Sequence, residues 1–366
     1  VPSALFSPLQ LRSLTIPHRG WVSPMCQYSC HPGTGEGVPN DWHLMHLGSF
    51  AAGGAALIMS EAAAVNAVGR ISPLDAGLYS DEQAAGWERI VDFVHRHGAV
   101  DCRIGAQLAH AGRKASTYWP FAHQSGSVPS SDGGWGTVGP ATQPFDGYAA
   151  PAAMSEEDIL AVVDDFAAAA SRAVAAGFDT VEIHSAHGYL LHQFQSPLIN
   201  TRTDRWGGNE EGRNKLMLTV VDAVRDVIPD SMPLLLRISA TDWADGGVDV
   251  EASVRLARAA AGRGVDLVDV SSGGAVAHQK IRAVPGYQAG FAEQIRRDAG
   301  VPTGAVGLLT SAAQAEDIVA NGRADAVFMA RAALRDPHWW LRAAYELGHD
   351  IPWVPQYQRA VPRHGF

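Results

Sequence analysis

A chain of 366 residues that is 46% hydrophobic and 18% charged carries enough apolar side chain to bury a large core. Its 38 acidic against 28 basic residues give a net charge of −10 with no basic run, so neither a nucleic-acid nor an anionic-membrane surface is expected. Charges or glycines interrupt every apolar stretch within about 18 residues, so no membrane span is expected; the N-terminus lacks a signal-peptide pattern, and Cys26, Cys30 and Cys102 suggest no disulfide framework, which fits the reducing cytoplasm.

Along the chain, eight short runs rich in Val, Ile or Leu read as strands buried on both faces: 20–25, 55–60, 102–108, 180–183, 234–238, 267–270, 302–306 and 326–329. Helical patterns at 81–97, 156–176, 210–227, 250–263, 312–321 and 337–347 lie between them. The clearest follows Ser155, with Asp158 completing a capping box and Gly177 closing it. This alternation predicts a single (β/α)8 TIM barrel over residues 1–366. A doubly wound sheet would want a Gly-x-Gly-x-x-Gly turn after a strand, and there is none. Residues 1–19 are expected to cap the bottom, and 350–366 form a C-terminal tail. The Gly/Pro/Ser-rich stretch 113–153, after the third strand, is expected to be a lid-like excursion on the catalytic face.

Barrel chemistry sits at the C-terminal ends of the strands. Those ends carry Ser23, Pro24, Met25, Cys26 and Tyr28, then Glu61 and Ala62, Gln107 and His110, His184, His187 and Tyr189, Arg237, Ser271, Gly307, and Ala330 with Arg331. His184 and His187, followed by a phenol two residues on, place two hydrogen-bond donors and a possible acid on one rim. A polarised carbonyl needs that set. Zinc would want two further ligands, and none is evident, so no metal is expected. His43 and His46 share the spacing but open a helix, and read as packing and capping residues. A buried Arg237 needs a counter-charge, which a bound anionic cofactor would supply. Glu61 has a structural reading as an ion-pair partner, Cys26 one as an inert thiol. Trp119 and Trp135 are possible pocket walls.

The motifs SPMCQYS (23–29), SEAAAVNAVGRISP (60–73), QLAHAGRKA (107–115), HSAHGYLLHQFQSPLINTRTDRWGG (184–208), VGLLT and MARAALRDP occur in order along these strands. With them the chain, from Leu5 to about Arg359, resembles the Old Yellow Enzyme family of FMN-dependent ene-reductases, and Cys26 is similar to its bacterial "thermophilic-like" (class III) branch. The resemblance implies that Ser23, Pro24, Met25 and Cys26 line the flavin, that Ala62 and Gln107 meet its pyrimidine edge, and that Arg237 lies near N1 and O2. Gly307, Ala330 and Arg331 would hold the phosphate. His184 and His187 would bind a substrate carbonyl with help from Tyr28, and Tyr189 would protonate the α carbon. Tyr357 and Arg359 would reach a neighbouring subunit's site in a homodimer or homotetramer. The implied activity is reduction of small electrophilic alkenes (enones, enals, maleimides) by hydride transfer from flavin N5, with NADPH preferred over NADH as reductant. Trp21 and the His192-Gln193-Phe194 run depart from the family's usual residues. A dienoyl-thioester reductase, which appends an iron–sulfur segment, a flavin-free lyase or aldolase, and a non-catalytic flavin-binding or redox-sensing barrel are the competing readings.

Overall fold

The computed structural model describes residues 2–31 and 35–362; residue 1 of the expected cap and residues 363–366 of the expected tail lie outside them. Each of the eight apolar runs forms a parallel strand: β3 (Gly20–Val22), β4 (Leu57–Ala64), β5 (Arg103–Ala109), β8 (Thr180–Ser185), β9 (Leu234–Ser239), β10 (Leu267–Ser271), β11 (Thr303–Ala305) and β12 (Ala326–Met329). They pair in that order and β12 pairs back onto β3, closing the barrel. Helices α1 (Asp41–Ala52), α2 (Asp81–His97), α3 (Glu156–Ala175), α4 (Leu190–Gln195), α5 (Glu210–Val227), α6 (Val250–Ala261), α7 (Ala289–Ala299), α8 (Ala312–Ala320), α9 (Arg331–Arg335) and α10 (Trp339–Glu346) occupy the connections. Outside the barrel, β1 (Leu9–Leu11) and β2 (Leu14–Ile16) make an antiparallel hairpin, and β6 (Val138–Gly139) pairs with β7 (Ala152–Ala153) across the excursion.

Three departures from the sequence expectation bear on the site. The first strand stops at Val22 rather than at residue 25, so Ser23 to Tyr28 is free loop over the barrel mouth. The second runs on to Ala64, with a register shift between Met59 and Ala62, so Glu61 and Ala62 lie within it rather than beyond it. Such an irregularity re-aims the side chains that follow. Helices α4, α7 and α9 had no sequence signal, and none of the three starts with a side-chain cap.

Inside the barrel the side chains lie in layers. Trp21, Leu57, Met59, Leu235, Leu267 and Phe328 form an apolar floor, sealed from below by Leu11 and Ile16 of the hairpin. Above the floor the next interior residues along the strands are Gln107, Glu182, Arg237 and Asp269, all buried. Beyond them the rim carries Ser23, His184, Ser239 and Ser271. Alternation along each strand produces this order: Leu235 is floor, Arg237 is middle and Ser239 is rim.

Candidate active site

Strand β8 delivers His184 to the rim, and the chain then reverses through two residues in the left-handed region, His187 (φ 59°) and Gly188 (φ 72°). An imidazole there is strained, so the surroundings must hold it. They do. The His187 amide donates to Ser239 Oγ at 2.9 Å, the Gly188 amide donates to His192 Nδ1 at 2.9 Å, and Lys114 Nζ donates to the carbonyls of His187 (2.8 Å) and Gly274 (3.1 Å). Tyr189 then stands at the N-terminal boundary of α4 without a side-chain cap.

The rings of His184 and His187 stand 5.2 Å apart and perpendicular, and His184 and Tyr189 stand 5.1 Å apart and perpendicular. His184 Nδ1 accepts the Ala186 amide, which assigns its proton to Nε2. His187 Nε2 lies 2.7 Å from Ser271 Oγ, leaving Nδ1 for a ligand. Burial first, then the charge of Arg237, holds both imidazoles well below their ordinary pKa, so both are neutral donors. Burial also pushes the Tyr189 phenol well up, with smaller contributions from Cys26 and Tyr28, and so keeps its proton in place. Tyr28 (φ 50°), Cys26 and Tyr189 pack together on Ala62, Ile71, Ala109, Ala111 and Ala115. The structure therefore brings Tyr28, His184, His187 and Tyr189 to one rim.

Ser23, Pro24, Met25 and Cys26 follow β3 directly, the Ser23 amide donating to the Met329 carbonyl at 2.9 Å. Burial raises the Cys26 thiol well above its ordinary pKa, so it is an uncharged sulfur. Gln107 Nε2 donates to Glu182 Oε1 at 2.8 Å. Arg237 differs from expectation: Asp269 already supplies a counter-charge, its Oδ2 3.1 Å from the guanidinium Nε. That Nε–H is not aimed at the carboxylate and donates no hydrogen bond. At the ends of β11 and β12, a cavity of about 220 Å³ is lined by Gly307, Ala330 and Arg331, as the sequence placed them, and also by Gln288, Leu308 and Arg335. Gly307 has φ 123°, and a Cβ there would lie 2.8 Å from Gln288 Nε2. Glu61 pairs with His43 at 3.1 Å, while the His43 ring accepts the Asn40 amide and caps α1.

Sequence reasoning missed several supports. His192 Nε2 donates to Asp242 at 2.8 Å in a fully buried pair that backs the Gly188 turn. Lys114, drawn down to about 8 by burial and by Arg113, lies 4.7 Å from the Phe145 ring and 5.2 Å from the Tyr189 ring. Glu182 and Asp269 share the middle layer with Arg237. The only sequence signal for these groups was charge in an otherwise apolar strand. Trp135 donates to the Val68 carbonyl and stacks under Arg70; Trp119 is exposed beside Phe121. Trp21 is floor, its Nε1 donating to the His18 carbonyl. Tyr357 and Arg359 lie in an exposed 3-10 turn, Pro355–Ala360, with Tyr357 against His338 and beside α1, and not, among the described residues, at this chain's own rim.

Lys114→Met keeps the aliphatic stem and removes both charged hydrogen bonds to the turn. Affinity for a phenol at the rim is expected to fall roughly tenfold, from loss of one to two such bonds. Unchanged phenol binding by this variant would show that the turn holds His187 without the lysine.

Among the described residues no cluster of three or more His, Cys, Asp or Glu is placed to hold a metal. FMN fits the residues present. Arg237 has an unused N–H beneath the rim, and Gly307 lines a cavity where a Cβ has no room. Arg331 is exposed at its mouth and forms no ion pair among the described residues. Comparison with known proteins agrees. The NADPH dehydrogenase of Geobacillus sp. (strain WCH70) is 46% identical over 97% of this chain and 98% of that protein. Morphinone reductase superposes with a TM-score of 0.77 at 28% identity, covering 96% of this chain and 91% of that one. A 2-naphthoyl-CoA reductase complex superposes with a TM-score of 0.84 at 22% identity; this chain spans 52% of it, and the likeness is one of fold. The model of the NADH:flavin oxidoreductase / NADH oxidase family matches residues 4–350, so the chain belongs to that family, as the Old Yellow Enzyme resemblance implied, and is an FMN-dependent oxidoreductase driven by a reduced nicotinamide.

Proposed function

We propose that the chain is an ene-reductase of the class III type that reduces small alkenes activated by a carbonyl, such as enones, enals and maleimides. The observation that carries this reading is the perpendicular His184/His187/Tyr189 cluster: two neutral donors and one protonated phenol on one rim. When bound, FMN supplies two-electron redox chemistry, taking hydride from a reduced nicotinamide and giving it to an electron-poor carbon. NADPH is the proposed preferred reductant, in keeping with the relatives' names.

His184 Nε2–H and His187 Nδ1–H bind the carbonyl oxygen and stabilise the negative charge that grows there. Tyr189 holds its proton for the α carbon. Tyr28 closes the opposite side. Gln107 and Arg237 would hold the polar edge of the flavin, Ser23, Pro24, Met25, Cys26 and Ala62 would line it, and Gly307, Ala330 and Arg331 would take the phosphate. The 113–153 excursion walls the chamber through Phe145 and Tyr148. Tyr357 and Arg359 complete the site of a second copy of this chain, as a dimer or tetramer. The cytoplasm suits three free thiols; no helix among the described residues is long and apolar enough to cross a membrane.

His184→Ala and His187→Ala should each weaken phenol and enone binding by on the order of 1–3 kcal/mol; unchanged phenol affinity in both variants would remove the histidines from the oxygen site. The reading as a whole is tested by an anaerobic absorbance titration. The purified protein should show an oxidised flavin band that NADPH bleaches and 2-cyclohexenone or a maleimide restores. A band that bleaches and ignores the alkene would reject this substrate class.

A further inference from the structure

Among the described residues, the middle layer of the barrel sets two carboxyls, Glu182 and Asp269, around one guanidinium, Arg237. Glu182, on β8, and Asp269, on β10, flank the strand that carries Arg237. Both carboxyls are fully buried. Glu182 Oε1 accepts from Gln107, but Glu182 Oε2 and both oxygens of Asp269 receive no hydrogen bond from the protein. An ionised carboxylate in a dry interior needs those donors. Every group facing the pair is identifiable: Gln107 from β5, Arg237 from β9, and above them His184 from β8 with His187 beyond. From the other strands Ser60 Oγ accepts the Gln107 amide and donates to the Glu61 carbonyl, and the floor is Trp21, Met59 and Phe328. Burial and mutual repulsion raise Glu182 above its ordinary range, and burial raises Asp269 against the pull of Arg237.

We propose that Glu182 and Asp269 are a proton-sharing pair coupled to the redox state of the flavin, so that reducing the flavin draws one solvent proton into the barrel. This goes beyond the proposed function and rests on one element of it, that the flavin lies above Arg237. Before reduction, the two carboxyls share Arg237 and their proton occupancy is incomplete. Hydride from the nicotinamide breaks its C–H bond and forms an N–H bond on the flavin, leaving one added negative charge that competes for Arg237. A solvent proton then bonds to a carboxylate oxygen of the pair. When the alkene takes the hydride, the pair returns its proton to solvent, and the proton that reaches the α carbon still comes from Tyr189. Two electrons therefore enter with two protons, one carried as hydride and one held below.

The test is a spectroelectrochemical titration of the holo-protein across about pH 6 to 9, the span in which raised carboxyls titrate. Each proton taken up with two electrons makes the equilibrium constant tenfold more pH-sensitive per unit, or about 30 mV. The midpoint potential of the native protein should fall by about 60 mV per pH unit over part of that range, and by about 30 mV in Glu182→Gln and Asp269→Asn. Glu182→Gln is isosteric and its amide oxygen still accepts from Gln107, so the fold is retained; the flavin absorbance verifies this. Reduction-induced infrared difference spectra of the native protein give a second readout, a carboxylic-acid C=O band that appears on reduction and is missing in Glu182→Gln. A native slope near 30 mV throughout overturns the proposal, as does a steep slope that survives in both variants, which would place the proton on His184 or His187; either result leaves the flavin site standing. A protein that holds no FMN overturns the proposal and the functional reading together.

Discussion

Tyr189→Phe is expected to slow alkene reduction by about 10²–10⁴-fold, the usual contribution of a positioned general acid, while reduction of the flavin by NADPH stays near the native rate. The phenol is an acid beside the histidines that holds its proton at neutral pH, since burial raises it well above its ordinary pKa; Tyr28, raised likewise, is assigned to the opposite side. The histidines cannot replace it. Burial and Arg237 lower both, so neither has a second proton to give at neutral pH. The variant keeps the ring that packs beside His184 and on Ala62 and Ala109, so binding of the alkene should change little. Rapid-mixing measurements of the two half-reactions decide it. Equal slowing of both would remove Tyr189 from the acid role, and slowing of neither would mean that the proton arrives from water.

The second large effect is expected at Arg237. Replacing it with Met leaves Glu182 and Asp269 buried without the cation between them, and breaking such a group by removing one member costs about 3–5 kcal/mol. The apo-protein should lose that much stability to denaturant. The loss has a direction with pH. Without the guanidinium the folded-state pKa of each carboxyl rises further, so the deficit grows as pH climbs above the unfolded carboxyl range and shrinks as pH falls into it, where protonation removes the buried charge. Adding Asp269→Asn should recover more than about 1 kcal/mol, because the two sites are in contact and their effects do not add. A single variant within about 1 kcal/mol of native, or a double variant no better than the single, would show that the carboxyls are already neutral in the absence of flavin. FMN affinity should fall in both.

The strands were legible because a strand buried on both faces is a short, mostly apolar run rich in Val, Ile or Leu, broken by at most a few polar residues. The bounds of α2 and α5 matched the sequence pattern residue for residue, since Ser80 and Asn209 cap them through side chains. Helix α7 was invisible for the converse reason: Gln288, which precedes it, makes no side-chain cap. Within the site, His184, His187 and Tyr189 were readable because one strand end and one turn carry all three. The residues that hold them were not. Lys114 and Gly274 arrive from other strand ends, and Asp242 meets His192 only across the folded barrel. Glu182 and Asp269 each stand as a single carboxylate in an otherwise apolar strand, and Arg237 read as a cation awaiting an anionic cofactor. Their meeting depends on β9 lying between β8 and β10, which composition does not encode.

The turn that carries His187 is interlocked with the loop after β10. A Cβ at Gly274 would come 2.5 Å from the His187 backbone, and one at Gly188 would come 2.1 Å from the Gly274 carbonyl oxygen. Neither loop therefore evolves, or is transplanted, on its own: a graft of the histidine segment into a foreign barrel would arrive with half of its mould missing. Change in substrate shape has an easier route through the excursion between residues 115 and 150, whose Phe145 and Tyr148 overhang the rim while much of its length faces solvent.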